Sequence, residues 1–318
     1  MTPDLTQDTP PAGGELRRNP VNGKLAIVAP ARAARPSGEG EAAGPAERER
    51  RCPFCPGNER LTPPELEALR PPGGAPDSPG WRVRVVPNKY PALAGAHEVI
   101  VHAPEHGAEL EDLDDARLAE VISIWQRRID AQFRGGAAAA TLIANVGAGS
   151  GASLEHPHEQ LVATPVVPPL LLDELLEFER HRNRFGGCVL CAELESAGDR
   201  LVLAGGFTAW VPAASRFNGE LWLAPAAHEA DVRTADPGAL AVALRRTLVA
   251  VKAVNAGAPL NFWLHTAPAD LRGPFHWHIE MAPRTAALAG FELGSDVGIV
   301  SVDPAAAAAG YRESLPGS

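Results

Sequence analysis

Two histidines and a glutamine alternate directly after a glycine-rich stretch, at residues 149–161. On a β-strand His156, His158 and Gln160 share one face, because side chains two residues apart point the same way. Backbone N–H groups in glycine-rich turns bind anions, and a neutral imidazole is a good nucleophile toward phosphorus near pH 7. The pattern predicts phosphoryl or nucleotidyl transfer through a covalent histidine intermediate, with a metal-binding pair as the alternative interpretation.

The four cysteines form two Cys-x-x-Cys pairs, Cys52 with Cys55 and Cys188 with Cys191. In a reducing cytoplasm such pairs are typical of zinc half-sites. A redox-active pair is the alternative, but neither pair lies between a clear strand and the start of a helix.

The composition of the 318 residues is that of an ordinary globular protein, with 45% hydrophobic residues. A net charge of −10, without a basic stripe, argues against a general nucleic-acid surface. No apolar run reaches the roughly 18 residues that a membrane span needs, and the N-terminus lacks the layout of a secretory signal. We therefore expect a cytoplasmic protein that binds neither nucleic acid nor membrane.

The elements that must position these residues recur in two halves. Helices are predicted from Asp114 or Asp115 and from Asp236-Pro237, and a bridging helix over 169–185. Strands are predicted over the ranges 25–28, 81–86, 98–101 and 141–146 in the first half, and 200–203, 207–211, 220–225 and 260–264 in the second.

In both halves a cysteine pair is followed by a lone histidine and then by a His-x-His pair. The second cysteine and the lone histidine are 51 residues apart in the first half and 37 in the second, and the lone and paired histidines are 50 and 48 apart. This order predicts two copies of one plan. We expect residues 1–15 to be a loose tail, 16–168 to form the first half with the active site, and 169–318 to form the second.

Zinc takes four soft or borderline ligands in a tetrahedral array, so each half supplies one closed structural site. His265 and His278 are competing ligands in the second half, where iron is conceivable if they replace the cysteines. The two predicted sets are Cys52, Cys55, His106 and His156, and Cys188, Cys191, His228 and His276.

The metal sites would use the first histidine of each pair, which leaves His158 for chemistry. A stiff, metal-held backbone would preorganise this ring, and a nearby carbonyl could bind one ring nitrogen and aim the other at phosphorus. His278 lacks the preceding glycine-rich loop and is expected to be packed or substrate-facing.

The sequence resembles the galactose-1-phosphate uridylyltransferase family, the transferase branch of the histidine-triad superfamily. The similarity extends from Arg17 over nearly the whole chain. It rests on Arg-Arg-Asn-Pro-x-x-Gly from Arg17, Cys-Pro-Phe-Cys-Pro-Gly-Asn-Glu at 52–59, Val-Pro-Asn-Lys-Tyr-Pro-Ala-Leu at 86–93 and His-Pro-His-x-Gln at 156–160.

This resemblance implies that His158 attacks the α-phosphorus of a nucleotide sugar and that Gln160 stabilises the intermediate. Hydrolases of the superfamily carry a third histidine at the position of Gln160, and an amide cannot act as their general acid or base, so the glutamine favours transfer. The implied substrate contacts are Arg32 and Arg35 for the diphosphate, Asn88 for the nucleoside, Asn145, Gly151 and Ser153 for phosphate oxygens, and Phe291 and Glu292 for the hexose.

The implied fold is α+β, with two histidine-triad-like repeats, each an antiparallel sheet with helices, packed into one pseudo-symmetric unit. The expected partners are a nucleotide sugar and a sugar 1-phosphate or phosphate. A homodimer is compatible with such folds, which commonly pair their sheets, although the two halves could make that pairing within one chain.

Two features depart from the family pattern. Glu159 replaces a small residue inside the motif, and a carboxylate near a diphosphate could slow binding. The second cysteine pair and the stretch 289–294 are more similar to the ADP-glucose phosphorylase branch, which uses phosphate as acceptor. The sequence favours uridylyl exchange with hexose 1-phosphate over adenylyl phosphorolysis, and a zinc-containing nucleotide-binding protein without turnover or a nucleotide hydrolase is a further alternative.

Overall fold

A computed structural model of the chain describes residues 14–18, 25–29 and 52–315. Arg32, Arg35 and nearly all of the predicted tail lie outside the described residues. Strands β1 and β2 form an antiparallel hairpin, and strands β3 to β12 form one ten-stranded sheet. The strands are β1 Glu15–Arg18, β2 Leu25–Val28, β3 Glu67–Leu69, β4 Val83–Pro87, β5 His97–Val101, β6 Ala139–Val146, β7 Glu159–Thr164, β8 Leu201–Leu203, β9 Phe207–Trp210, β10 Leu221–Pro225, β11 Leu260–His265 and β12 His278–Pro283.

The ten strands run in the order β3-β4-β5-β7-β6-β11-β12-β10-β9-β8, and each neighbouring pair is antiparallel. The first half contributes five adjacent strands and the second half the other five, joined where β6 pairs with β11. The predicted α+β class with antiparallel sheet and helices is confirmed. The predicted two-repeat symmetry stays a prediction.

The two longest helices cover one face of this sheet. The predicted apolar stripe of the longest helix is buried, and so is the stripe of its counterpart in the second half, with Leu118, Trp125, Leu244 and Leu248 all at most 3% exposed. The α-helices are α1 Asp115–Arg134, α2 Pro169–Phe185, α3 Val189–Glu195, α4 Pro237–Val254, α5 Gly290–Ser295 and α6 Pro304–Glu313, and short 3₁₀ helices span Glu59–Leu61, Leu110–Asp112, Gly198–Arg200 and Val232–Thr234. Asp114 and Asp236 cap α1 and α4 through their side chains, which accept backbone N–H groups left without helical partners.

Alternation along the strands divides the sheet into two faces. On β6, Leu142 and Ala144 enter the core beneath the helices, whereas Ile143 and Asn145 point to the opposite face. A smaller apolar cluster, which includes Phe54 and the first cysteine pair, packs on that opposite face. Chemistry-bearing side chains on the second face are therefore separated from the main core.

The histidine motifs differ from their predicted strand assignment. Strand β7 begins only at Glu159, because Pro157 has no backbone N–H to donate to a ladder. Strand β12 begins at His278, since the N–H of Trp277 bonds the carbonyl of Glu229 in a loop instead. Each first histidine therefore lies just before its strand and not on it.

None of the helices in the described part of the chain combines the length and apolarity required to cross a membrane.

Candidate active site and metal centres

The first predicted metal set comes together on the second face of the sheet. Cys55 Sγ lies 3.3 Å from His106 Nδ1 and 3.5 Å from His156 Nδ1, and Cys52 Sγ lies 3.6 Å from the same nitrogen of His156. The cysteines occupy a turn in which the Phe54 N–H points at Cys52 Sγ, 3.4 Å away, and the Cys55 N–H bonds the Cys52 carbonyl. The four ligand atoms all lie within 4.8 Å of one another.

These separations fit zinc. Ligand bonds of the usual lengths at a tetrahedral angle place sulfur and nitrogen about 3.6 Å apart. His156 Nε2–H donates a hydrogen bond to the carbonyl of Ala103 at 2.9 Å, which keeps Nδ1 unprotonated and directed at the two sulfurs. Burial lowers the pKa of His156 to about 4 and so favours the neutral, ligating ring. The donor set and its orientation could hold a metal ion and are consistent with zinc.

The second predicted set gathers in the same way. Cys191 Sγ lies 3.5 Å from His276 Nδ1 and 3.8 Å from His228 Nδ1, while Cys188 Sγ lies 3.7 Å from His276 Nδ1. His276 Nε2 donates to the carbonyl of Pro225 at 3.0 Å, the counterpart of the bond that orients the first site. Burial lowers the pKa of His276 to about 4 as well.

His265 and His278 lie in a third group, next to the second set. Their ligand atoms lie within 4.8 Å of carboxylate oxygens of Glu174 and Glu280, in a separate buried group. His265 Nδ1 is 2.8 Å from Glu174 Oε1. These four side chains could themselves hold a metal ion, so the alternative in which His265 and His278 act as ligands stays a prediction.

The first site holds His158 from two sides. Its Nδ1 donates to the backbone carbonyl of His156 at 2.9 Å, because a carbonyl only accepts. The Phe54 ring, between the two cysteines in sequence, meets the His158 ring edge-on with centroids 5.1 Å apart. In the neutral ring this arrangement leaves the lone pair on Nε2, which is the position expected of a nucleophile.

A cleft of about 420 Å³ contains His158, Ser153 and Asn145 and is bordered by the glycine-rich loop. Three glycines of this loop, Gly147, Gly149 and Gly151, have φ of +79°, +93° and +92°. Side chains rarely adopt this conformation, so glycines allow the loop to turn tightly before the histidine motif. Of the predicted phosphate contacts, Gly151 lies in this loop but does not line the cleft.

A second cleft of about 330 Å³ lies between the β1–β2 hairpin and the second face of the sheet. Its lining includes Gln160, His97 and Asn145, and because Asn145 lines both clefts, they meet at this residue. The structure thus brings His158, Gln160 and Asn145 to one region.

Histidine 97 contacts the amide of Gln160. His97 Nδ1 accepts from the backbone N–H of Ala92 at 2.9 Å, and its Nε2 lies 2.9 Å from Gln160 Oε1. Asn88 lies beside this pair, with its Nδ2 3.1 Å from His97 Nε2 and 3.5 Å from Gln160 Oε1. Its Oδ1 accepts from the N–H of Tyr90, which directs the NH₂ group toward the pair. The predicted nucleoside contact is therefore a neighbour of Gln160.

Asn145 is held by the second half of the chain. Asn261, its register partner on β11, places Nδ2 2.7 Å from Asn145 Oδ1 and 2.9 Å from the carbonyl of Ser150 in the glycine-rich loop. Arg284 Nη1 donates to Asn261 Oδ1 at 3.2 Å. Residues of β11 and the segment after β12 thereby reach the candidate site.

The side chain of Glu159 points to the helix-covered face of the sheet, whereas that of Gln160 points to the opposite face. Its Oε1 lies 2.7 Å from His102 Nδ1, and His102 Nε2 donates to the carbonyl of Ala108 at 2.7 Å. Burial alone lowers the pKa of His102, but the charge and hydrogen bond of Glu159 outweigh it and raise the pKa above its usual value. The carboxylate that replaces a small residue is thus paired with a buried histidine.

Phe291 and Glu292 lie on α5, and neither lines either cleft. Phe291 is 58% exposed. Their contact with a hexose stays a prediction.

Sequence reasoning missed His97, Asn261, Arg284 and His102. Each acts on the site across strand pairs or loops that are distant in sequence, and none belongs to a spaced motif. The one available signal was that His97 begins an apolar strand, where a polar residue needs a partner.

An antiparallel sheet thus carries a backbone-held histidine next to a possible metal site, two amides and a glycine-rich loop. The chain matches the family model described as "Galactose-1-phosphate uridyl transferase, N-terminal domain" over residues 88–168. It is 29% identical to the ADP-glucose phosphorylase of Arabidopsis thaliana over 94% of this chain and 92% of that protein. It is 31% identical to the galactose-1-phosphate uridylyltransferase of Streptomyces lividans over 60% of this chain and half of that protein's length.

Among solved structures, the crystal structure of an ADP-glucose phosphorylase from Arabidopsis thaliana with bound ADP-glucose is similar, with 28% identity and a TM-score of 0.76. The alignment covers 95% of this chain and 99% of that one. The similarity to the galactose-1-phosphate uridylyltransferase family that the sequence predicts is confirmed by these comparisons.

Proposed function

We propose that this protein is a nucleotidyltransferase that takes a nucleoside monophosphate from a nucleotide sugar onto His158 and passes it to a phosphate-bearing acceptor. The observation that carries the proposal is the orientation of His158, whose Nδ1 proton is held by the His156 carbonyl beside a cleft. A bond from Nε2 to the α-phosphorus forms while the bond from that phosphorus to the sugar-phosphate oxygen breaks, and the leaving oxygen keeps the electron pair.

In the second step a phosphate oxygen of the acceptor attacks the same phosphorus. The N–P bond breaks and its electron pair returns to Nε2, which restores the neutral ring. Between the two steps the ring is positively charged, and the hydrogen bond from Nδ1 to the His156 carbonyl stabilises this charge. The phosphoryl oxygens are proposed to be bound by Gln160, Asn145 and Ser153. The diphosphate is proposed to be bound by Arg32 and Arg35, which lie outside the described residues.

Zinc is proposed at both Cys₂His₂ sets. Its role there is structural, because four protein ligands leave no open position for substrate. The first set positions His158 through His156 and Phe54, and the second stabilises the fold of the other half.

The finer activity has two candidates, each favoured by one observation. The family-model match over 88–168, which contains the histidine motif, favours uridylyl exchange between UDP-glucose and hexose 1-phosphate, as the sequence predicted. The nearly full-length similarity to an ADP-glucose phosphorylase favours adenylyl transfer to phosphate.

Two assays run side by side separate these candidates. Purified protein is given either UDP-glucose with galactose 1-phosphate or ADP-glucose with inorganic phosphate, and product formation is followed by chromatography. Turnover in only one mixture assigns the activity. Mononucleotide release without acceptor would instead indicate a hydrolase, and binding without any product would contradict the transferase proposal. His158→Ala is the control, since it should abolish turnover in whichever mixture reacts.

A further inference from the structure

We infer that His97 and Asn261 are positioning residues that turn the amide N–H groups of Gln160 and Asn145 toward the clefts, so that both amides can only donate hydrogen bonds to the transferred phosphoryl group. This inference rests on the proposed function and adds to it residues that do not touch the substrate. Because Asn261 lies on β11, the second half of the chain would also help to position a substrate-binding amide.

The orientation of Gln160 follows from a backbone group. The N–H of Ala92 can only donate, so His97 Nδ1 must accept and, in the neutral ring, Nε2 carries the proton. Because Nε2–H donates, the Gln160 atom that lies 2.9 Å from it must be the carbonyl oxygen. The NH₂ group of Gln160 is then directed away from His97.

The orientation of Asn145 follows from a second backbone group. The carbonyl of Ser150 can only accept, so the Asn261 atom 2.9 Å from it is the nitrogen. This nitrogen also lies 2.7 Å from Asn145, which must therefore present its oxygen there. The guanidinium of Arg284 can only donate, so the other amide atom of Asn261, which accepts from it, is the oxygen. This agrees with the assignment made from Ser150.

The two relays have one chemical result. In each case a donor behind the amide occupies its carbonyl oxygen, and the NH₂ group remains for the region where the two clefts meet at Asn145. His97 is 5% exposed and Gln160 6%, and both His97 Nε2 and the NH₂ group of Asn88 face Gln160 Oε1, so an amide turned the other way would set a buried NH₂ group against two donors. A buried donor left without an acceptor is unfavourable enough to fix one orientation. Donors set in advance suit a negatively charged phosphoryl group and cost no reorganisation when charge develops on its oxygens.

Double-mutant cycles on the full-length, zinc-loaded protein test the inference. The measured quantity is the rate of nucleotidyl-enzyme formation from whichever nucleotide sugar reacts in the wild type. We expect His97→Phe and Asn261→Asp each to slow this step about tenfold to a hundredfold, a loss like that of a misdirected oxyanion donor. In the Gln160→Ala background His97→Phe should have no further effect, and Asn261→Asp none in the Asn145→Ala background.

A merely structural role gives a different pattern. Effects that multiply in the double variants would overturn the inference, as would single variants that react at the wild-type rate. His181→Phe on α2 and Asn255→Asp at the end of α4 are matched controls, since both residues lie outside the clefts, and they should leave the rate unchanged. A wild type that forms no adduct overturns the proposed function together with this inference, whereas an adduct with multiplying effects overturns the inference alone.

A measurement on the wild-type protein tests the orientation of Gln160 even if the variants do not fold. Nitrogen NMR of the histidine rings in the wild type should show His97 with the proton on Nε2 and an unprotonated Nδ1. The opposite tautomer would contradict the orientation of Gln160.

Discussion

The two histidine-pair motifs have the same local geometry and different surroundings. His158 and His278 each donate from Nδ1 to the carbonyl of the metal-set histidine two residues earlier, at 2.9 and 3.1 Å. His158 borders a cleft next to the glycine-rich loop. His278 is 1% exposed and lies flat against Trp222, with ring centroids 4.7 Å apart and planes 10° apart.

The environment of the second ring differs in charge as well. His278 Nε2 lies 3.6 Å from Glu280 Oε1, and although burial lowers the pKa of His278, the nearby carboxylates of Glu280 and Glu174 raise it above its usual value. The nitrogen that would be the nucleophile in His158 is here directed at a carboxylate. A backbone-held imidazole therefore does not suffice for chemistry, because the ring also needs an open cleft and donors for the phosphoryl group.

The largest expected difference between the halves is the effect on the transfer rate of replacing His158 in the first half or His278 in the second. His158→Ala should lower the transfer rate by at least about a thousandfold, because it removes the nucleophile. His278→Ala should leave the rate within about fivefold and lower the free energy of unfolding by leaving Glu280 with less compensation. Initial rates and urea unfolding curves of both variants test the contrast, and equal loss of rate in both would remove the proposed division of labour.

The second largest difference is expected when one cysteine ligand is removed from each metal set. Cys52→Ala should reduce the rate about a hundredfold, since the backbone of His156 and the ring of Phe54 are held by that site. Cys188→Ala should lower thermal stability with a rate within about tenfold of wild type. Elemental analysis should find two zinc ions in the wild type and one in each variant. A rate that falls as far for Cys188→Ala as for Cys52→Ala would show that the second set also controls the chemistry.

The aromatic neighbours of the two rings sharpen the comparison further. Phe54→Ala should slow transfer about fivefold to tenfold, because the His158 ring loses one of its two supports. Trp222→Ala should cost about 3 kcal/mol of stability through lost packing and leave the rate unchanged. Single-turnover rates and denaturant midpoints measure both, and a Phe54 variant with unaltered rate would leave the carbonyl of His156 as the sole positioning contact.

The smallest expected effect concerns a carboxyl group that lines the cleft beside His158. Burial raises the pKa of Glu109 to about 7, above that of an unfolded chain, so its protonated form favours folding. This contribution is complete below the unfolded pKa near 4.5 and is lost as the pH rises toward 7. Glu109→Gln should therefore be more stable than the wild type at pH 8, with an advantage that shrinks toward pH 5.5. Unfolding curves with excess zinc at both pH values test this, and an advantage independent of pH would refute the assigned cause.

The sequence was informative where function depends on short, spaced motifs. Both cysteine–histidine sets assemble as predicted, and α1, α2 and α4 begin where their capping or proline signals indicate. The strand start at Glu159 was missed because Pro157 removes a ladder donor. The contacts of His97 with Gln160 and of Asn261 with Asn145 could not be predicted, since they depend on strand pairing between segments about 60 and 116 residues apart.

Peptide mapping of the covalent adduct tests the central claim most directly. The protein is mixed with the reactive nucleotide sugar in the absence of acceptor, digested under mildly basic conditions and analysed by mass spectrometry. We predict one nucleoside monophosphate on His158, labile in acid and removed when acceptor is added before digestion. An adduct on another residue, or one that persists in His158→Ala, would contradict the account.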